Sequence, residues 1–390
     1  MVKKIKPHSF KLANNFRIVI FLCVVLFINY PGIVLSEDIP IRVAVLERVD
    51  SFKVDLRDNY EIIDLEKNGI SDEGRSIINA LVSTPEGEKI SIGKKIFNSK
   101  RLKITALHDG YIHINRRRLR GDVNIFLKGN KFDVVNSIDL EQYLKGVISA
   151  EVSFYWPFEA LKAQAVAART FTLYRVTDSK DLDFDLTSDV SSQVYGGRYH
   201  EKYRTNKAIA ATCGQVLTFN GQIFPAFYHS ACGSETEDAA QLWKLDIAPL
   251  KGIKCQYCKD SPRYHWQQRI NKAAALERFN HHNYGTNDIK SIVIVEPTRS
   301  GRVKLLKIDT GEKQFLISGK DFRQIIGPNI IRSLRFNVNV LEDAIDLEGF
   351  GWGHGVGLCQ WGAYFMAREG RSYEEILEYY YPQAEISFIK

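Results

Sequence analysis

Three groups of residues in this chain have the types and spacing to do chemistry. The first centres on a carboxylate, Glu151, set in YLKGVISAEVSFYWPFEALKAQAVAARTFTLYR (143–175) just ahead of Trp156-Pro157. A carboxyl enclosed beside aromatic rings has its charged form disfavoured, so its pKa rises and it can deliver a proton near neutral pH. Phe154, Tyr155 and Trp156 are the adjoining rings, and an indole or phenol face also stacks on sugars. On spacing alone, a surface glutamate pairing with Lys145 or Lys162 is the commoner reason for such a residue. Lys162 and Arg169 stand a heptad apart on the helix that follows, placed to bind ligand oxygens or to hold Glu151. A solvated helix face accounts for such a pair equally well. Ser191, Gln193 and Tyr195, in the polar stretch 185–197, are hydrogen-bonding candidates for a polar polymer, or loop residues satisfying their own backbone.

The second group is His229-x2-Cys232 with Cys255-x2-Cys258, and His265 as a spare. Two ligand pairs, each separated by two residues, are the format of a four-coordinate zinc site. A disulfide, Cys255–Cys258 or Cys232–Cys255, is the competing reading in an exported chain. The third group is GFGWGHGVGLCQWG (349–362), where His354 and Gln360 are candidates to face a cleft. It lacks Gly-Lys-Ser/Thr and is no phosphate loop. Its glycines suit close approach of the backbone to something else. The sequence holds no His-Glu-x-x-His and no convincing Ser-His-Asp arrangement.

The elements that position these groups read as an α+β fold. Residues 37–117 show short strand-like runs split by glycines and charges, a β-rich N-terminal region. Residues 118–390 read as a mixed α/β domain. Pro157 suits the first turn of a long amphipathic helix, with Phe158, Leu161, Ala165, Ala168 and Thr172 along its apolar stripe. Val123–Leu127 and Phe132–Val135 make one hairpin, and Asn220-Gly221 closes another with a type I′ turn. An inserted α/β segment spans 267–350. Near the end, Ser372 and Glu375 form a capping box.

Residues 1–36 are of another kind. Lys3, Lys4, Lys6, Lys11 and Arg17 precede the apolar run Ile18–Ile28, and Val34-Leu35-Ser36 offers small-residue cleavage. That order is a secretory signal, or an uncleaved anchor, the one case in which the protein meets a membrane. Its removal leaves 48 basic against 46 acidic residues, a net charge of +2. So neutral a chain has no electrostatic footprint for nucleic acid. It also leaves five cysteines, an odd number that works against a fully paired framework.

Taken together, the blocks around Glu151, the run Ser192-Gln193-Val194-Tyr195-Gly196-Gly197, the FYHSACG that follows the second hairpin, and GWGHGVGLCQWGAYFMAREGRSYEEILEYYYP resemble the stage II sporulation protein D and amidase-enhancer family. The resemblance runs from about residue 118 to the C-terminus. It implies an exported protein of the cell envelope or periplasm that acts on peptidoglycan glycan strands as a lytic transglycosylase, preferentially on strands stripped of stem peptides. It implies that Glu151 is catalytic, that a metal sits at His229, Cys232, Cys255 and Cys258, and that a cell-wall amidase is a partner in some relatives. Lys162, Arg169, Gln193, Tyr195, His354 and Gln360 are the residues expected to orient the saccharide. The chain departs from the family pattern at Val152-Ser153, where methionine and proline are frequent, at Gly233-Ser234, and at Cys359, usually serine or threonine.

Overall fold

The computed structural model describes residues 40–389, apart from 86 and 109. The expected export signal at 1–36 lies outside the described residues. Among those described, no helix is long and apolar enough to cross a membrane.

The architecture is α+β with a β-rich N-terminal part. Lys131–Asp139 is its central strand, buried on both faces through Phe132–Asn136, as a strand in mid-sheet must be. It pairs antiparallel with Pro40–Val49 on one side and with Asp122–Lys128 on the other. Arg101–Ala106, Tyr60–Asp64 and Gly69–Gly74 extend the sheet to seven strands, with Leu186–Thr187 along the outer edge of Pro40–Val49. A six-stranded sheet built around Phe52–Leu56 and Ile77–Ser83 packs into the same apolar core. Strands on either side of residue 117 thus share one sheet, because Arg101–Ala106 hydrogen-bonds to Asp122–Lys128.

From that sheet the chain enters helix α1 (Leu140–Glu151), capped by Asp139, whose carboxylate accepts from the Gln142 N–H at 3.0 Å. Helix α2 (Phe158–Asp178) follows. The expected amphipathic stripe is not what is found: every residue from Ala163 to Leu173 is buried. Helices Tyr203–Ala211, Gln360–Arg368 and Tyr373–Tyr380 and the strand Gln215–Phe219 cover α2 on several sides. Alanine at 160, 163, 165, 167 and 168 lets those neighbours approach. A helix enclosed all round carries no sequence stripe. Pro157 stands one position before the first helical residue rather than inside the first turn.

The hairpin at Asn220-Gly221 forms as expected, with φ of 51° and 73° at its two turn residues. Residues 267–350 have their own core, from Trp266 and Phe279 to Leu347. It lies between two three-stranded sheets and the helices Lys272–His281 and Gly319–Ile326. The Ser372/Glu375 capping box is present.

Candidate active site and cysteine cluster

Glu151 is the last residue of α1, and the connection to α2 is fixed from outside. The Arg204 guanidinium donates to the carbonyls of Phe154 and Trp156 at 3.0 and 2.9 Å. The Glu151 carboxylate accepts the Val194 N–H at 2.8 Å and a hydrogen bond from the Gln360 side chain. The residue is only partly buried, so solvent or substrate reaches it. Burial nevertheless raises its pKa, outweighing the two hydrogen bonds that favour the anion. Burial also pushes the Tyr143 and Tyr228 hydroxyls well above their ordinary value, and the negative charge of Glu151 adds to both. The Tyr228 hydroxyl is enclosed beside the Gln193 amide, without a well-aligned hydrogen bond among the described residues.

The rings expected to wall Glu151 are placed differently. Tyr155 is 78% exposed and stacks on Phe154 with centroids 4.1 Å apart. Trp156 packs against Trp361 and Tyr364 at 5.0 and 5.2 Å. The groups that set the carboxyl's environment come from positions 143, 194, 228 and 360 instead.

Most of the expected saccharide contacts prove to be supports. Arg169 has no exposed side chain; it grips Glu141 through two bonds of 2.6 and 2.8 Å and donates to the Gln215 carbonyl. It ties α2 to the start of α1 and cannot reach a ligand. Arg169→Ala leaves Glu141 without its counter-ion in a largely closed site, and urea unfolding should report a loss of about 3 kcal/mol. Lys162 pairs with Glu159 at 2.7 Å and lies over the Tyr373 ring, not with Glu151. Gln193 is fully buried: its Oε1 meets the hydroxyls of Tyr143 and Thr172, and its Nε2 donates to the Ala168 carbonyl. Tyr195 is 2% exposed and donates to Asn136 Oδ1 at 2.9 Å. These two residues flank Val194 and fix the N–H that Glu151 uses. His354 spends both nitrogens on backbone, Nε2 donating to the Tyr228 carbonyl and Nδ1 accepting from the Val356 N–H. Burial lowers its pKa to about 4, so the ring is neutral at physiological pH. Of the six, Gln360 touches Glu151 directly.

The thiols gather elsewhere. Strands Tyr228–His229 and Leu358–Cys359 pair in parallel, with His229 opposite Cys359. Cys232 lies just beyond the first, and Cys255 and Cys258 flank the start of the short helix Tyr257–Asp260. The sulfurs of Cys232, Cys255, Cys258 and Cys359 all lie within 4.8 Å of one another, and all four residues are buried. Cys359 Sγ also accepts the N–H groups of Cys232 and Gly362, both at 3.3 Å. The cluster differs from the expected ligand set in holding Cys359 and not His229. The His229 ring donates Nδ1–H to the Val356 carbonyl at 3.0 Å, and its enclosed Nε2 has no partner among the described residues. His265 pairs with Glu348. Counting cysteines at two-residue spacing misses Cys359 because its partners lie more than 100 residues away. The signal available was Cys359 itself, already set apart as a departure from the expected family pattern. Four buried thiols so close together fit a tetrahedral thiolate site, and a disulfide within the same group is the other arrangement they allow.

Residues 128–219, which carry Glu151, α2 and the first strand of the Asn-Gly hairpin, match the stage II sporulation protein family, and residues 250–357 match a domain of unknown function, DUF8618. An uncharacterised protein of Brachyspira hyodysenteriae is 33% identical over 254 residues, 65% of this chain and 68% of that protein. Stage II sporulation protein D of Bacillus subtilis is 31% identical over 268 residues, 65% of this chain and 76% of the relative. The amidase enhancer of Bacillus subtilis is 29% identical over 287 residues, 61% of this chain and 39% of its own length. The chain belongs to the stage II sporulation protein D family, which also takes in the amidase enhancer.

Proposed function

We propose that this protein is exported and acts on the cell wall as a lytic transglycosylase of peptidoglycan glycan strands. The observation that carries this reading is the state of Glu151: a single carboxyl, partly enclosed, its pKa raised by burial, held by a backbone N–H and a side-chain amide. Among the described residues no other carboxylate is among the causes of that shift. Hydrolases of the same bond use two carboxyl groups, one to activate water. A transglycosylase needs one. Protonated Glu151 gives its proton to the oxygen between N-acetylmuramic acid and N-acetylglucosamine, and the C1–O electron pair leaves with that oxygen. The oxocarbenium-like centre is then attacked by the same muramic residue's C6 oxygen. The Glu151 carboxylate takes the C6 hydroxyl proton, a 1,6-anhydro ring closes, and the acid is regenerated without water. Mass analysis of products from stripped strands tests this: anhydro ends support it, and hydrated reducing ends exclude it.

A second reading has the amidase-enhancer relative behind it: the protein grips glycan and stimulates a separate amidase. There Glu151→Gln keeps full function, whereas the enzyme loses it.

In either case Cys232, Cys255, Cys258 and Cys359 would hold a structural zinc ion. Bound there, the ion crosslinks the 255–258 turn to the helix that begins at Gln360.

The raised Glu151 pKa has two pH consequences of defined sign. Cleavage needs the acid form, so the rate falls as pH climbs above the raised value. The fold also prefers the neutral carboxyl: stability from this group is complete below the ordinary value of 4.5 and is lost as pH rises through the folded value. Glu151→Gln, always neutral, should therefore unfold at a higher temperature than wild type at pH 7.5, and the gap should close toward pH 4. Equal gaps at both values would mean that the carboxyl is not desolvated.

A further inference from the structure

The ring of Trp352, in the glycine-rich stretch, carries two guanidinium groups. The Cζ of Arg263 lies 3.9 Å from its centroid and that of Arg332 lies 4.5 Å away. The neighbouring arginines are tied to the chain, although the enclosed Nε of Arg302 has no partner among the described residues. Arg323 donates to the Ile331 and Arg332 carbonyls, Arg335 to Gly233 O and Ser234 Oγ, and the buried Arg302 to the carbonyls of Cys232 and Glu235. Arg263 and Arg332 are not. Among the described residues neither side chain has a carboxylate or carbonyl partner, and the enclosed Nε of Arg332 has no acceptor at all. Two cations against one indole repel each other, and an enclosed donor without an acceptor is costly. The repulsion is relieved by one ligand, an anion lying across the pair. A planar carboxylate matches the donor fork of a guanidinium.

The position suits a glycan that crosses Glu151. Trp352 and Ala231 exchange both backbone hydrogen bonds, at 2.7 and 3.1 Å. Ala231 lies three residues beyond Tyr228, which is close enough to Glu151 to feel its charge. His354, two residues after Trp352, donates to the Tyr228 carbonyl and so locks the two tracks together. Arg263 is exposed, and Trp352 and Arg332 are partly so.

We propose that Arg263 and Arg332, seated on Trp352, form a subsite for a carboxylate carried by the glycan strand. The proposal rests on the glycan reading above. Two sources supply that chemistry: the lactyl carboxylate that each muramic residue bears once its peptide is removed, and the acid groups of an attached stem peptide.

The test uses the full chain with Glu151→Gln, so that strands bind without turnover, and calorimetry at low salt. Ligands are stripped strands, peptide-bearing strands, stripped strands with the acids converted to methylamides, and chitin oligosaccharides, which lack the acid. Adding Arg263→Gln and Arg332→Gln should weaken stripped strands at least about tenfold, while chitin and methylamide strands bind as before. A loss confined to peptide-bearing strands assigns the carboxylate to the peptide. Equal loss across acid-bearing and acid-free ligands, or no loss on either acid-bearing strand, overturns the subsite. Should the double variant not fold, Arg263→Lys alone carries the test: a partial loss limited to acid-bearing ligands supports the subsite, and an unchanged or indiscriminate effect overturns it. If Glu151→Gln with both arginines intact binds none of the four ligands, the glycan reading itself fails, and the subsite with it.

Discussion

Glu151→Gln is expected to lower strand cleavage by about 10³-fold or more, with folding and glycan binding retained. The substitution is nearly isosteric, and the Val194 N–H still finds an oxygen on the amide. Gln360 also keeps a partner, since one amide can donate to or accept from another. What disappears is the transferable proton, and with it both halves of the reaction, since the same group must later take the C6 proton. The loss therefore falls on kcat, while the affinity for strands, read by calorimetry, stays within a few-fold of wild type. Glu151→Asp tests geometry instead. The shorter chain retains the acid but draws it away from Val194 N, and intermediate activity is expected. A glutamine variant that still yields anhydro ends at the wild-type rate would remove Glu151 from the mechanism. A variant that binds but does not cleave, beside a wild type that also does not cleave, would leave the amidase-enhancer reading standing.

What the sequence made legible was short-range. Asn220-Gly221 needs positive φ twice, and Ser372 with Glu375 caps a helix within four residues; both appear as expected. Glu151 was also locally visible, by its place ahead of Trp156-Pro157 and by resemblance. Its environment was not. The groups that hold it sit at 194 and 360, more than 40 and 200 residues away in the chain. The same limit explains the expected substrate ligands. On a helix buried all round, polar residues have no outward face, so Arg169 reads from spacing as a ligand and turns out to be an internal tie. Gln193 and Tyr195 were placed in a polar loop and proved to be the packing that aims the Val194 N–H. Polarity in sequence does not distinguish a group that faces substrate from one that satisfies a buried backbone.

The cysteine cluster yields the sharpest contrast between sequence pattern and structure. Spacing named His229 as a ligand; the structure gathers Cys359 with the other three thiols and leaves His229 outside the cluster. If zinc is bound, Cys359→Ala should reduce metal from one ion per chain to near zero, while His229→Ala keeps it. Structural zinc contributes roughly 10 kcal/mol or more of apparent binding free energy. Losing the ion should therefore cost on the order of 10 kcal/mol, seen as a large fall in Tm that added zinc does not reverse. Chelation of wild type should reproduce that fall. The damage should also reach the site, because Cys359 Sγ accepts the Gly362 N–H and caps the helix whose first residue is Gln360. Release of that turn loosens the amide that touches Glu151, so residual activity in Cys359→Ala should drop along with metal content. If instead the purified protein holds no zinc and loses stability on reduction, with two thiols titrating only after reductant, the cluster is a disulfide and Cys359 is its spectator or its half. Retention of a full zinc ion by Cys359→Ala together with its loss in His229→Ala would restore the ligand set that spacing suggested.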